Sequence, residues 1–395
     1  MGYLCVRLKQ ASLKYFWCLT VVFLVAGCVE PYAPKIDQHI SSFLVINGSI
    51  NSQGVTTIQL ARTLSLGQAG APPVEAKARV SIEEEGGRQY PLAEGVAGTY
   101  TSTALALDPG KRVRLHLLTA TQKEYASDFM TIKQTPAIDS VSWEVVSDGV
   151  QISVSTHDNT QQSRYYRWDY EETWQFTSAY ISGIEYKNRK LVDRTGEDIY
   201  HCWGTEKSSV IRIGNTTWLS QDVVANQPLT ILPSNSAKLR YKYSILVRQY
   251  AQTLEEYNYW DALRKNTENI GTLFDPLPTQ LTGNVHNLAD KEEVVLGFVG
   301  AQSVAEKRIF IEYGQLPRTW RFLTGYEDCT LLDTVPNPNV DGDNRNPVEY
   351  FSNPYFIPVA ELRDCEKCLP YYTGSTVDCV DCRKRGANVK PAFWK

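Results

Sequence analysis

Between residues 41 and 313 apolar and polar positions mostly alternate with a period of two, the pattern of strands with one buried face and one wet face. Phe43-Leu44-Val45-Ile46 is an apolar run that Asn47-Gly48 is expected to end, and Val55, Ile58 and Leu60 follow in a Thr- and Val-rich stretch. Ala78, Val80 and Ile82 alternate with Arg79, Ser81 and Glu83 before a Gly86-Gly87 turn, and Val113, Leu115 and Leu117 share one face. About seven short strands separated by turn signals predict an immunoglobulin-like β-sandwich over residues 41–135.

Thr135-Pro136 marks a boundary, because proline holds the preceding residue extended, and the alternation then restarts. Val141, Trp143 and Val145 lead through Asp148-Gly149, a strong hairpin signal, to Val150, Ile152 and Val154, as in the opening of a fibronectin-type sandwich. Tyr166, Trp168 and Tyr170 fall on one strand face and Arg167 and Asp169 on the other. Of the aromatic stripe Tyr165, Tyr166, Trp168, Trp174 and Tyr180, burial in a core is expected rather than display on a binding face. From Tyr180 to Ser220 the periodicity weakens, which reads as an insertion of irregular hairpins, and Tyr241, Tyr243, Ile245 and Val247 resume a strand.

One helix is predicted. Thr253 and Glu256 have capping-box spacing, Leu254, Tyr257, Trp260, Leu263 and Thr267 form its apolar stripe, and Gly271 is its stop. Phe274 to Pro278 then reads as an extended linker, with further strands at Val294 to Val299 and Arg308 to Tyr313. The expected fold is mainly β: two tandem immunoglobulin/fibronectin-like β-sandwich domains (41–135 and 136–324), one inserted helix, and a cysteine-rich C-terminal segment (325–395).

The N-terminus sets the compartment. Arg7, Lys9 and Lys14 precede an apolar stretch from Tyr15 to Val25 that is too short to span a bilayer, and Leu24-Val25-Ala26-Gly27-Cys28 is a lipobox. Residues 1–27 are expected to be a lipoprotein signal peptide, Cys28 the lipidated residue, and 28–40, with Pro31 and Pro34, a tether. Val29 rather than Asp follows the cysteine, which points to the outer membrane and leaves the leaflet open.

Composition agrees with this address. A formal net charge of −4, without any basic block after Cys28, argues against nucleic acid as a partner. Cys202, Cys329, Cys365, Cys368, Cys379 and Cys382 remain once the signal is removed. Cys365-x2-Cys368 and Cys379-x2-Cys382 have the spacing of zinc knuckles, but an oxidising compartment makes disulfides the expectation, with their pairing open. A thioredoxin-like role lacks its βαβ setting. No metal or cofactor is expected: Asp341-Gly342-Asp343-Asn344 lacks the ligand spacing of a calcium loop, and no glycine-rich phosphate loop follows a strand. His39, His116, His157, His201 and His286 lie near no nucleophile elbow or paired-histidine motif, so no catalytic residue is assigned.

Three segments together, Tyr165 to Trp174, Arg240 to Tyr250 and Gly271 to Pro278, with Asp378-Cys379-Val380-Asp381-Cys382 and Phe393-Trp394, resemble a known family. It is the uncharacterised Bacteroidota lipoprotein family catalogued as domain of unknown function 4249. The resemblance implies an outer-membrane lipoprotein with a TonB-dependent β-barrel transporter as partner, and it brings no catalytic residue with it. Position 287, where many members carry cysteine, holds Asn287, which leaves the partner of Cys202 open. The functional expectation is a non-enzymatic binding or accessory module, with a hydrolase of surface polymers as the alternative.

Overall fold

The alternating stretches form strands whose inward residues build two separate cores in the computed structural model, which describes residues 42–64, 70–268, 281, 283–329, 332–337 and 341–395. The lipobox, the tether at 28–40, Gly271 and the linker at 274–278 lie outside the described residues.

The first sandwich contains β1 (Leu44–Asn51), β2 (Val55–Arg62), β3 (Arg79–Glu84), β4 (Gln89–Glu94), β5 (Thr99–Ala104), β6 (Arg112–Leu118), β7 (Glu124–Ser127) and β8 (Met130–Thr131). Leu44, Ile46 and Ile50 of β1 face Ile58 and Leu60 of β2 and meet Val80, Ile82, Val113, Leu115 and Leu117 in one core. Each such side chain, fully buried, stabilises the fold by roughly 1.5–3 kcal/mol. Asn47-Gly48 does not end the first strand. Gly48 pairs with Ile58 inside β1 at φ +138°, where an added Cβ would stand 2.4 Å from the Thr57 carbonyl oxygen, so glycine keeps the strand continuous to Asn51.

The second sandwich contains β9 (Ile138–Val146), β10 (Gly149–His157), β11 (Tyr165–Thr177), β12 (Ile184–Lys187), β13 (Lys190–Asp193), β14 (His201–Lys207), β15 (Arg212–Asn215), β16 (Val223–Pro233) and β17 (Lys242–Gln252). Its layers are β16-β10-β9 and β14-β11-β17-β21, with β15 also on β11 and β21 at Val304–Glu312. Tyr166, Trp168, Tyr243, Ile245 and Val247 pack on Val150, Ile152 and Val154. Within this core the Trp168 indole N–H donates to Gln249 Oε1 at 2.8 Å, and the Gln249 amide donates to the Pro136 carbonyl at 2.9 Å and to Thr156 Oγ1 at 3.0 Å. The weakly periodic 180–220 stretch is more ordered than its pattern suggests. It holds the β12-β13 hairpin and then β14, whose seven residues pair with β11, and at Gly204 an added Cβ would stand 2.4 Å from the Trp174 ring.

Helix α1 (Leu254–Glu268) starts where predicted, with the Glu256 N–H donating to Thr253 Oγ1 at 3.2 Å. The other half of the expected capping box is missing, because the Glu256 side chain is buried instead. Leu254 and Thr267 of the expected stripe are exposed, and Tyr257 and Trp260 carry the packing.

The domain boundary at residue 135 is crossed later in the chain. Strands β18 (Val285–Asn287), β19 (Val295–Leu296) and β20 (Ala301–Gln302) return to the first sandwich, β18 on β7 and the other two parallel to β1. They cover the edges that β7 and β1 would otherwise expose, so residues counted with the second sandwich complete the first.

The C-terminal segment also has regular structure, namely β22 (Asp333–Val335), α2 (Pro347–Tyr350), β23 (Phe356–Leu362), β24 (Tyr371–Thr376) and α3 (Val377–Val380), with β24 between β22 and β23. Its cysteines are disulfide-bonded as Cys202–Cys382, Cys329–Cys379 and Cys365–Cys368. The chain end then lies against β14, where Trp203 and Ala387 exchange backbone hydrogen bonds and Trp394 packs edge-on to Trp203.

Candidate functional site: the cleft between the sandwiches

Strand alternation that buries one face of each sandwich turns the opposite faces toward each other. From β1 and β2 the outward residues are Asn47, Ser49, Asn51, Val55 and Thr57. From the second sandwich they are Arg167 and Asp169 on β11, Arg248 and Tyr250 on β17, and Val304 and Glu306 on β21. Glu256 and Trp260 of α1 and Phe298 close one end, and Lys207 at the end of β14 stands at the rim. The cleft holds about 710 Å³, and a neighbouring lobe of about 480 Å³ shares Arg167, Asp169, Lys207 and Trp260 with it.

The charged floor follows from register. Asp169 pairs with Arg248 and Arg248 with Glu306, so the three form a row across β11, β17 and β21. Arg248 Nε donates to Glu306 at 2.8 Å, and Asp169 stands 3.8 Å from its Nη1. Burial works against the Arg248 charge, but Glu306 and Asp169 outweigh it and raise its pKa.

Arg167 is held differently. Tyr250 lies opposite it in the β11–β17 register, and its guanidinium lies 4.2 Å from the Tyr250 ring centroid and 4.6 Å from that of Trp260. Its side chain is only 14% exposed, yet Asp169 Oδ2 stands 3.6 Å from Nη1 and the buried Nε has no partner among the described residues. Beside it lies the Glu256 carboxyl, against Gly300, where a Cβ would come within 2.5 Å of Glu256 Oε2. Burial pushes the Glu256 pKa up, with Arg167 and the neighbouring Gln252 and Trp260 side chains pulling the other way. Among the described residues neither Gln252 amide atom nor Trp260 Nε1 has a hydrogen bond of ordinary geometry. Lys207 is exposed and has no ion pair among the described residues.

This arrangement can bind and orient, since it combines fixed cations, ring faces and an amide- and hydroxyl-bearing wall. Among the described residues that line it there is no histidine or cysteine. His116, His157, His201 and His286 stand elsewhere, each beside a carboxylate.

Those sequence-predicted site residues that the structure describes fall outside the cleft. Cys28 is not among the described residues, and the two Cys-x2-Cys pairs do not converge: Cys365 closes on Cys368, while Cys379 and Cys382 reach separate partners. Cys382 fills the place left open opposite Cys202. In the acidic loop Asp343 is taken by Arg345, whose hydrogen bonds hold its pKa far below the carboxylate range. Of the aromatic stripe, Tyr166 and Trp168 are core, Tyr165 packs on Tyr257, and Trp174 lies under Lys238. What pointed to the cleft was the reverse of that stripe: Arg167 and Asp169 opposite Trp168, and Arg248 and Tyr250 opposite Val247.

A family model described as a domain of unknown function, DUF4249, matches residues 29–308. The chain belongs to the DUF4249 family. The matched span of this DUF4249 chain includes every residue lining the cleft. No curated protein matches the sequence. Among solved structures, the two fibronectin type-III domain segment from chicken tenascin is 11% identical, covers 53% of this chain and 91% of that chain, and has a TM-score of 0.17. The BSP domain of a biofilm associated protein is 10% identical, with 85% and 70% covered and a TM-score of 0.14. Such loose likenesses fix nothing about the site, and the sandwich architecture of this DUF4249 chain rests on its own sheets.

Proposed function

We propose that this DUF4249 protein is a lipoprotein held on the outer membrane through Cys28, where it acts as a non-enzymatic binding or accessory module beside a β-barrel transporter. The observation that supports the binding reading is the cleft: two sandwich faces line about 710 Å³ with cations, carboxylates and ring faces. The lipobox supports the address, and family resemblance supports the transporter. A tether of about a dozen residues, at roughly 3.3–3.6 Å each, keeps the sandwiches within about 50 Å of the bilayer. A weak contact with another membrane protein is then made at raised effective concentration, and little intrinsic affinity is required.

The test is cross-linking in intact cells followed by mass spectrometry. The expected result is an outer-membrane β-barrel protein attached to residues beyond Val141. Failure to recover any barrel protein, together with turnover of a surface polymer by the purified protein, would replace this reading with the hydrolase alternative.

A further inference from the structure

We propose that the cleft takes a small ligand by its carboxylate, which docks on Arg167 with Lys207 at the rim and Trp260 alongside. The inference rests on the reading of the cleft as a binding site and adds the chemistry of what it binds.

An arginine that is largely buried ordinarily spends its donors on acceptors, because burying them unpaired is costly. Arg167 does not: its side chain is 14% exposed, and among the described residues its buried Nε has no partner and its nearest carboxylate oxygen is 3.6 Å away. The rings of Tyr250 and Trp260 hold the guanidinium in place. A guanidinium so fixed, with its donors unclaimed, is preorganised for a planar oxyanion.

Charge decides which oxyanion. Arg248 is already engaged by Glu306 and Asp169, so the row Asp169-Arg248-Glu306 carries one net negative charge, which Arg167 offsets. Lys207 at the rim is then the third cation of the lining, and the Glu256 carboxyl its third acid. With one positive charge to spare at most, when Glu256 holds its proton, the cleft suits a monoanion, whereas a phosphate dianion would face Asp169, Glu306 and Glu256 with too little to balance it. The opposite wall of Asn47, Ser49 and Thr57 carries neutral amide and hydroxyl groups, suited to a ligand body rich in hydroxyls or amides. Two sources provide that chemistry: a uronic-acid sugar and the free C-terminus of a short peptide.

Calorimetry on the full-length protein in detergent distinguishes them, with trigalacturonate and its methyl ester, trialanine and its C-terminal amide, and inorganic phosphate as probes. One acid is expected to bind at least tenfold more tightly than its neutral derivative. Arg167→Lys should weaken that acid at least tenfold at unchanged Tm, and Lys207→Met several-fold. Binding of trigalacturonate identifies the sugar source, and binding of trialanine the peptide source. The proposal is overturned if neither acid binds at about 5 mM, if the neutral derivatives bind equally well, or if phosphate binds more tightly than both acids. It is equally overturned if a folded Arg167→Lys protein binds like the wild type. Should Arg167→Lys not fold, Lys207→Met decides, and undiminished affinity sinks the idea. Binding in detergent does not depend on lipidation or on a transporter, so failure here leaves the membrane address standing, and failure of the address leaves this result intact.

Discussion

Cys202 in β14 is bonded to Cys382, 180 residues further along the chain, with Cα atoms 5.8 Å apart and both side chains fully buried. This bond joins the end of the chain to the aromatic side of the second sandwich, where Phe176 and Tyr326 pack around it. Closing so long a loop restricts the unfolded chain more than the native one, an effect worth roughly 5 kcal/mol in the loop-entropy picture and typically about 2–5 kcal/mol on removal. Replacing both residues by serine should lower stability by an amount in that range in urea unfolding. It should also open the chain beyond Gly386 to proteolysis, because the Trp203–Ala387 pairing then holds that end without a covalent tie. Wild-type stability and wild-type cleavage in the double variant would show that the bond constrains nothing.

Gln249 is the hub of the second core. It is fully buried and ties the Trp168 indole, the Pro136 carbonyl and the Thr156 hydroxyl together. Gln249→Leu keeps comparable bulk but leaves the indole N–H and the carbonyl without partners in a dry interior. The expected cost is about 2–4 kcal/mol, against well under 1 kcal/mol for Gln59→Leu on the exposed face of β2. Equal stabilities for the two variants would remove the network from any account of this fold.

The sandwiches could be read because burial of one face imposes alternation, and Val80, Ile82, Val113, Leu115 and Leu117 have it without interruption. The disulfide framework could be expected from compartment, while its pairing depended on which strands meet. The cleft was less legible. Its residues are the wet positions of strands, where many side chains are compatible with the fold, so Arg167 and Arg248 look like ordinary solubilising charges until register sets Tyr250 opposite one and Asp169 opposite the other. Glu256 misled for a related reason. Its spacing from Thr253 fits a capping box, but tertiary packing against Gly300 and Arg167 takes its side chain away from the helix end. The return of β18 to β20 to the first sandwich is a long-range pairing that no local pattern encodes.

Cys28→Ser tests the address. Each buried methylene of a lipid chain contributes about 0.8 kcal/mol to membrane attachment. No helix among the described residues is long and apolar enough to cross a bilayer in its place. The variant should leave the membrane fraction after signal cleavage, with its sandwiches folded. Retention of a cleaved, unlipidated Cys28→Ser protein in the membrane would sink the lipoprotein reading.

Glu256 sets the sign of one pH dependence. Its pKa in the folded protein is raised above the ordinary value near 4.5, chiefly because burial disfavours the ionised form. Below that ordinary value both folded and unfolded chains hold the proton, and the carboxyl makes no pH-dependent contribution. As pH rises through the raised folded value, the unfolded chain has already released its proton while the native chain must ionise a buried group, so stability falls. Glutamine has nearly the same shape and cannot ionise. Glu256→Gln should therefore match the wild type at pH 4 and exceed it in Tm at pH 8, with the gap opening across the range where the native carboxyl titrates. Calorimetric scans at pH 4, 6 and 8 decide the matter. A variant less stable than the wild type at pH 8 would mean that the attraction of Arg167 outweighs burial, and that Glu256 is held ionised as that guanidinium's partner.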